Sequence, residues 1–460
     1  MTFISLRGRV VLNAEAMNMT ESVGNYVKHR RVPVVLPKTH TTYFVPAISG
    51  ESVAHGFQTT LAEEATKAGV SVCKLCQKGI FLKSTNLSVI KSAFSDEVPK
   101  WLGIDAEWNE MTEIARKKKK SDEEERKLTD FQDKLSFVLE SSIIKNCIVE
   151  DVGGFLYAEE NIGDFRVGGV KRTSNFYVGY MIPAAEVIES TVTHPQLHSR
   201  YALGTPFVRE RGQMIYYVEL SSACYTFSFD LDTRYIGKTS FVYEKAGESV
   251  VNDWEKRIDT TLNALQKLLV ELMFGAKKTR FLPVIDWESI AIAVSKEPWT
   301  VPSPFSADYI KKALDKLKKI NADTQLFVYI NPHIFEDTTV YVKRKTEELL
   351  ENFYKALEEF REKLKEKGDE KLIDWSEFKK KKLEQFLEKK VDELVETSDL
   401  KYISKIQQKY VETKEVLKPT RKKDEERFNT AVDRCWYYEN FEQCVIDAVQ
   451  CAKKVAKETK

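Results

Sequence analysis

Between Glu21 and Gln58 two groups of residues have the chemistry to hold an anion. The first is Lys28-His29-Arg30-Arg31, a run of consecutive donors. Each arginine can fork onto two phosphate oxygens, whereas Lys28 offers a single point charge. The second is a helix start at Ser49-Gly50, after Pro46 and ahead of the apolar run Val53, Ala54, Phe57, Leu61. The first N–H groups of a helix have no intrahelical acceptor, so those of Gly50, Glu51 and Ser52 are expected to face outward as an anion site. Each feature also has a plainer reading, Ser49 as a mere cap and the basic run as a solvated turn. Set this close together, the two point to a polyanion.

Further donors lie downstream. Residues 150–183 are glycine-rich and extended, and Gly153-Gly154 and Gly168-Gly169 permit close approach of a second backbone, protein or RNA. Lys171, Arg172, Thr173 and Ser174 then supply cations and hydroxyls in a row, on what is otherwise a solvent-exposed hairpin. The stretch VTHPQLHSRYALG carries His194, His198 and Arg200. A strand over 3–15 would set Leu6, Val10, Leu12 and Ala14 on one face and a basic stripe of Arg7, Arg9 and Asn13 on the other. The strand run 214–230 sets Tyr225, Phe227 and Phe229 on one face; with no RNP1 string in the chain, a packed core face is expected rather than a base platform.

Seven cysteines, an odd number without framework spacing, indicate a reducing compartment. Cys73-x-x-Cys76 is the only close pair; a structural zinc needs two more ligands and no second CxxC exists, so neither a metal nor a cofactor is expected. The formal net charge is only +1 with 31% charged residues, so nucleic-acid binding has to rest on local asymmetry. No run approaches the ~18 apolar residues of a membrane helix, and the start, MTFISLRGRVVLNAE, reads as neither signal nor anchor. A cytoplasmic protein without a membrane partner is expected.

The elements that must position these residues follow the order strand, helix, strand, strand, helix, strand, the split βαβ plan of an α+β fold. The core is expected over 1–84 and 148–334, interrupted by a helical insertion over 85–147. The tip of that insertion sets Arg116-Lys117-Lys118-Lys119-Lys120 against Asp122-Glu123-Glu124-Glu125, blocks that largely neutralise each other. Past Pro332 four amphipathic segments (339–367, 375–397, 399–417 and 425–457) suggest a C-terminal α-helical domain over 335–460 that can be severed from RNA binding.

The strings ESVGNYVKHRR, VPAISGESVAH, DVGGFLYAEEN, VKRTSNFYVGYMIP and QLHSRY occur in that order. In them the chain, over roughly 1–333, resembles the DevR group of CRISPR-associated RAMP proteins, the crRNA-holding backbone subunit of archaeal type I-A Cascade. The resemblance implies a modified RRM (ferredoxin-like) core, no required catalysis, and copies that stack along one guide RNA. It implies a hairpin at Gly153-Gly154 that reaches the next protomer, phosphate contact at Lys171 and Arg172, and RNA contact at His198, beside which Arg200 is taken as a further RNA-binding residue. Together with Lys28, His29, Arg30, Arg31, Ser49 and Gly50 these are the expected RNA-binding residues. The implied partners are crRNA, target DNA through the guide, further copies of the chain, and the large, small and crRNA-capping subunits. The rival is an endoribonuclease of the same superfamily with His198 or His29 as general base, although spacing ties no second histidine or hydroxyl to either.

Overall fold

The computed structural model describes residues 2–202, 212–320, 323–333, 427–429 and 434–458, with single helical positions at 355, 358, 362 and 382. The segments expected over 339–367, 375–397 and 399–417 therefore lie outside the described residues, those single positions aside.

The chain opens with β1 (Phe3–Glu15), the hairpin of β2 (Met19–Val23) and β3 (Tyr26–His29), and a second hairpin of β4 (Arg31–Leu36) and β5 (Thr41–Pro46). Helix α1 (Gly50–Ala68) follows, then α2 (Leu87–Ala93), α3 (Val98–Leu102), α4 (Asp105–Arg116), α5 (Asp122–Asn146) and the short α6 (Ile148–Gly153). Five short strands come next: β6 (Phe155–Leu156), β7 (Asn161–Ile162), β8 (Phe165–Arg166), β9 (Lys171–Arg172) and β10 (Phe176–Val178). A long ribbon of β11 (Thr193–Ala202) and β12 (Gly212–Asp232) leads to α7 (Trp254–Glu271), β13 (Val284–Ser295), α8 (Tyr309–Lys319) and β14 (Thr324–Ile330). Beyond 426 come β15 (Arg427–Asn429), β16 (Cys435–Tyr438) and α9 (Phe441–Glu458).

Among the described residues the main sheet runs β15-β16-β14-β13-β1-β12-β3-β2, with β10 and β11 also paired to β12. Taking β1, α1, β10 with β11, β12, α7 and β13 in chain order, β1 lies antiparallel between β12 and β13. That is the ferredoxin-like plan. Period-2 alternation sorts the side chains between two apolar layers. Ile290, Ile292, Phe327 and Tyr329 face the layer that holds α1, α7 and α9, while Ala291, Ala293, Leu326 and Val328 face the layer that holds α8. Tyr225, Phe227 and Phe229 are buried, with Phe229 5.0 Å from Phe57 and 5.6 Å from Phe176 between ring centres, so that row is core, as its sequence suggests.

Of the stripe expected on β1 only Asn13, near the strand's end, is exposed; the two arginines are not open to solvent, because β1 is central and its second face is covered there. Arg7 grips Asp230 through two bonds of 2.7 and 2.9 Å. Arg9 is wholly buried, bonding Glu186 at 2.9 Å and the Pro304 carbonyl at 2.8 Å.

The insertion is helical across α2 to α5. The capping box of Ser121 and Glu124 starts α5, Lys117 pairs with Glu124 at 2.5 Å, and Phe131, Leu135, Leu139 and Ile143 turn inward.

At its described end the C-terminal region departs from a separate helical domain. Where a helix is expected over 425–457, residues 435–438 instead form β16, parallel to β14, and α9 packs on α7, β13 and β14. Phe441 stacks on Trp287 at 4.8 Å. The reason is local: Cys-Trp-Tyr-Tyr favours a strand, and Asn440 caps the helix that follows, its Oδ1 accepting from the Gln443 N–H at 2.7 Å.

Candidate nucleic-acid interface

The two anion-seeking groups do meet, through a residue that carries no local signal. Asn18 Oδ1 accepts from Arg30 Nε at 2.7 Å and from the Ser49 N–H at 3.0 Å, and the Asn18 carbonyl accepts from the Arg30 N–H at 2.9 Å. Arg30 is thereby held by its inner nitrogen at the start of α1, with no partner among the described residues for its two terminal amino groups. Ser49 itself is buried and spent as a cap, its hydroxyl accepting from the Ser52 N–H at 3.3 Å. Ser52 N–H is thus no outward donor, and Ser49 acts by starting the helix rather than by reaching a ligand. Gly50 is required by packing: a Cβ there would lie 2.8 Å from the Val178 carbonyl oxygen. The cleft beside it, about 500 Å³, is lined by Gly50, His55, Phe81, Lys83 and Val178. Exposed Glu51 already answers the positive end of α1, so an anion at this place would have to be drawn by the arginines rather than by the helix.

His29 is a correction. Strand alternation turns it inward, where Nε2 meets Glu15 Oε1 at 2.6 Å and Nδ1 meets the Arg30 carbonyl at 3.0 Å. Glu15 also accepts from Tyr225 Oη at 2.7 Å and from the Met17 N–H at 2.8 Å. Burial pulls the His29 pKa down, but the hydrogen bond and charge of Glu15 outweigh it and the imidazole titrates above its ordinary 6.5. His29 is a strut, not an RNA contact.

Lys28 faces outward, loosely paired with Glu21 at 3.6 Å. Arg31 is about half exposed and reaches Thr193 Oγ1 and, at 3.4 Å, Glu219, so it bonds to both strands of the β11–β12 ribbon. On that ribbon His198 packs between Tyr216, at 5.4 Å, and Phe281, at 5.1 Å, and its Nε2 is buried without a partner. Arg200 lies opposite Met214; its side chain falls outside the described residues. The other ribbon face leaves Leu197, Ile215 and Tyr217 exposed.

Two more expectations are overturned around β9. Lys171 is exposed, but Arg172 is buried, donating to the Asp151 carbonyl at 2.8 Å, to Asp151 Oδ1 at 2.6 Å and to the carbonyls of Tyr235 and Lys238 at 2.9 and 2.5 Å. Its fork is full, so phosphate contact is impossible without unfolding the site. Gly154 does admit a second backbone, but it is the chain's own, and Gly153 admits a side chain of the same chain. A Cβ at Gly153 would lie 2.1 Å from Gln58 Nε2, and one at Gly154, where φ is +72°, would lie 2.5 Å from the Arg172 carbonyl oxygen. Neither glycine presents a protomer interface.

Metal-ligating chemistry also gathers where sequence spacing does not find it: Cys147, the junction of α5 and α6, joins Cys73 and Cys76.

Comparison with known proteins gives a consistent kinship. The family described as CRISPR-associated negative auto-regulator DevR/Csa2 matches residues 6–314. In Saccharolobus solfataricus, the CRISPR-associated protein Cas7/Csa2 1 is 32% identical over 333 residues, covering 71% of this chain and 88% of its own length. The CRISPR-associated aCascade subunit Cas7/Csa2 2 of the same organism is 35% identical over 319 residues, covering 68% and 85%. Among solved structures, a chain of a CRISPR RNA-guided surveillance complex (pre-nicking) is 10% identical with a TM-score of 0.35, covering 71% of this chain and 92% of that one. A second surveillance-complex chain is 7% identical with a TM-score of 0.33, covering 71% and 88%. With the family match spanning most of its length and two relatives above 30% identity, the chain belongs to the DevR/Csa2 family of CRISPR-associated proteins.

Proposed function

We propose that this chain is a guide-RNA-holding backbone subunit of a type I-A Cascade effector complex in the cytoplasm. Copies stack along one crRNA and present it for pairing with target DNA, sequence being read by base pairing rather than by the protein. The large, small and crRNA-capping subunits complete its partners. The carrying observation is the Asn18 clamp, which fixes Arg30 at the head of α1 with its terminal amino groups unspent, between outward-facing Lys28 and Arg31. Lys171 adds an exposed cation on β9. The apolar face of the β11–β12 ribbon is the surface we assign to the neighbouring copy, in place of the glycine pair. Binding without cleavage is supported by the two histidines a nuclease would draw on: His29 has both ring nitrogens engaged and His198 is packed between aromatic rings.

Titrating labelled repeat-containing RNA with the full chain at several salt concentrations tests this reading. An intact shifted band is expected, with log K falling against log salt by about 0.7 per phosphate contact. Arg30→Ala with Arg31→Ala should flatten that slope by up to about 1.4 and weaken binding. A cleaved band would favour the endoribonuclease, and an unshifted band would end the RNA-binding reading.

A further inference from the structure

The helical insertion leaves and rejoins the core at one buried cluster. Cys73 and Cys76 sit on the loop after α1, Cys147 closes α5, and their three Sγ atoms lie within 4.8 Å of one another. All three are buried, and Glu150, one turn beyond Cys147, is buried with them. Its Oε1 accepts from Cys76 Sγ at 2.8 Å and from the Leu82 N–H at 2.9 Å, while Oε2 is buried with no partner. Plain apolar packing of small thiols gives no reason to bury a carboxylate beside them with one oxygen unanswered. A disulfide between any two would leave that carboxylate equally unanswered.

We propose that Cys73, Cys76, Cys147 and Glu150 form a structural zinc site of three sulfurs and one carboxylate oxygen. Thiolates are the soft donors that select Zn²⁺, and four protein ligands with no open position make a structural site rather than a catalytic one. Zn–S bonds of about 2.3 Å set tetrahedral sulfurs about 3.8 Å apart, so the triangle, whose sides are within 4.8 Å, would contract by at most about 1 Å. On binding, the three thiol protons leave to solvent, including the one Cys76 now shares with Glu150, and the released carboxylate turns to the metal. Three thiolates and a carboxylate around Zn²⁺ leave a net charge of −2, which the ammonium of Lys83, held by the Gly153 and Gly154 carbonyls at 2.6 and 3.2 Å, partly offsets. A surface cleft of about 480 Å³ lined by Val72, Cys73, Lys74 and Asn146 gives the ion a way in. The site would add to a seam already begun by the Ile148 N–H on the Ser71 carbonyl, 2.9 Å. It would pin the foot of the insertion to the core.

The test is metal analysis of the full chain purified without chelators. About one zinc per chain is expected, and after exchange into Co²⁺, intense tetrahedral d–d bands with sulfur-to-cobalt charge transfer. Cys147→Ser should lose the metal, whereas Cys451→Ser, outside the cluster, should keep it. Should Cys147→Ser fail to fold, the unaltered chain answers instead: stripping with a chelator should lower Tm, and Zn²⁺ but not Mg²⁺ should restore it. Glu150→Gln should shift the d–d bands while the charge-transfer bands persist. Absence of both zinc and cobalt–sulfur absorption in the unaltered chain overturns the site, as does zinc retained in Cys147→Ser; unshifted bands in Glu150→Gln overturn the fourth ligand.

Discussion

Lys171 and Arg172 are neighbours on β9 with opposite surroundings, because successive strand residues point to opposite faces. Lys171→Ala should therefore lower the salt slope of RNA binding by about 0.7 and leave stability unchanged. Arg172→Ala should instead destabilise the fold by about 3 kcal/mol or more, read by urea melts, since it takes one of two arginines from buried Asp151 and a donor from three carbonyls. Burial pushes the Asp151 carboxyl up and Arg172 and Arg257 pull it down, so removing Arg172 raises it further. A stable Arg172→Ala protein with weakened RNA binding would return the arginine to the interface. His29 gives a pH test. Its folded pKa lies above the unfolded value, so the contribution of the Glu15–His29 pair is full below about pH 6.5 and is lost as pH rises through the folded value. His29→Gln should thus cost more stability near pH 6 than near pH 9; equal losses in urea melts at the two pH values would remove the ion pair from the account. None of this partnering was legible in sequence. Basic residues announce a charge but not its counter-charge, and Asp151 and Glu15 are distant from the cations they meet, or lie on a different strand.

At the scale of elements the legible signals were periodic ones. Leu6, Val10 and Leu12 on β1, the leucines of α7 and the aromatic row of β12 all follow a repeat that burial enforces, and all lie where that repeat puts them. The β16 strand escaped because Cys-Trp-Tyr-Tyr is too short to show a period of its own and runs into a helix with a strong one. The glycine pair was legible as a close approach but not as to what approaches. Gly154→Val should accordingly cost about 1–3 kcal/mol in the monomer, through its positive φ and the Arg172 carbonyl. A variant that melts like the parent yet fails to assemble would restore the interface assignment. For the ribbon the expectation is reversed: Leu197→Asp with Ile215→Asp, both exposed, should leave Tm within about 2 °C and abolish multi-copy species on long RNA in electron micrographs. Regular arrays in that variant would end the ribbon's role as the contact between copies.

For the whole molecule, the position of α9 decides what can be removed. Phe441, Cys444, Val445, Ala448 and Val449 belong to the same apolar layer as Leu6, Phe57 and Leu265. A chain ending at Asn331 should therefore aggregate, judged by gel filtration, and a monodisperse, RNA-binding product would show the core to be complete without α9. The parallel pairing of β14 with β16 has a further consequence, in the order of events during synthesis. Leu326–Tyr329 leave the ribosome roughly a hundred residues ahead of Cys435–Tyr438, their partners. At translation rates of about 5–20 residues per second the flank of β14 waits on the order of ten seconds, unpaired and apolar. Slower decoding of the codons for 334–426 lengthens that wait, so the yield of folded protein becomes sensitive to translation speed between the two partner strands.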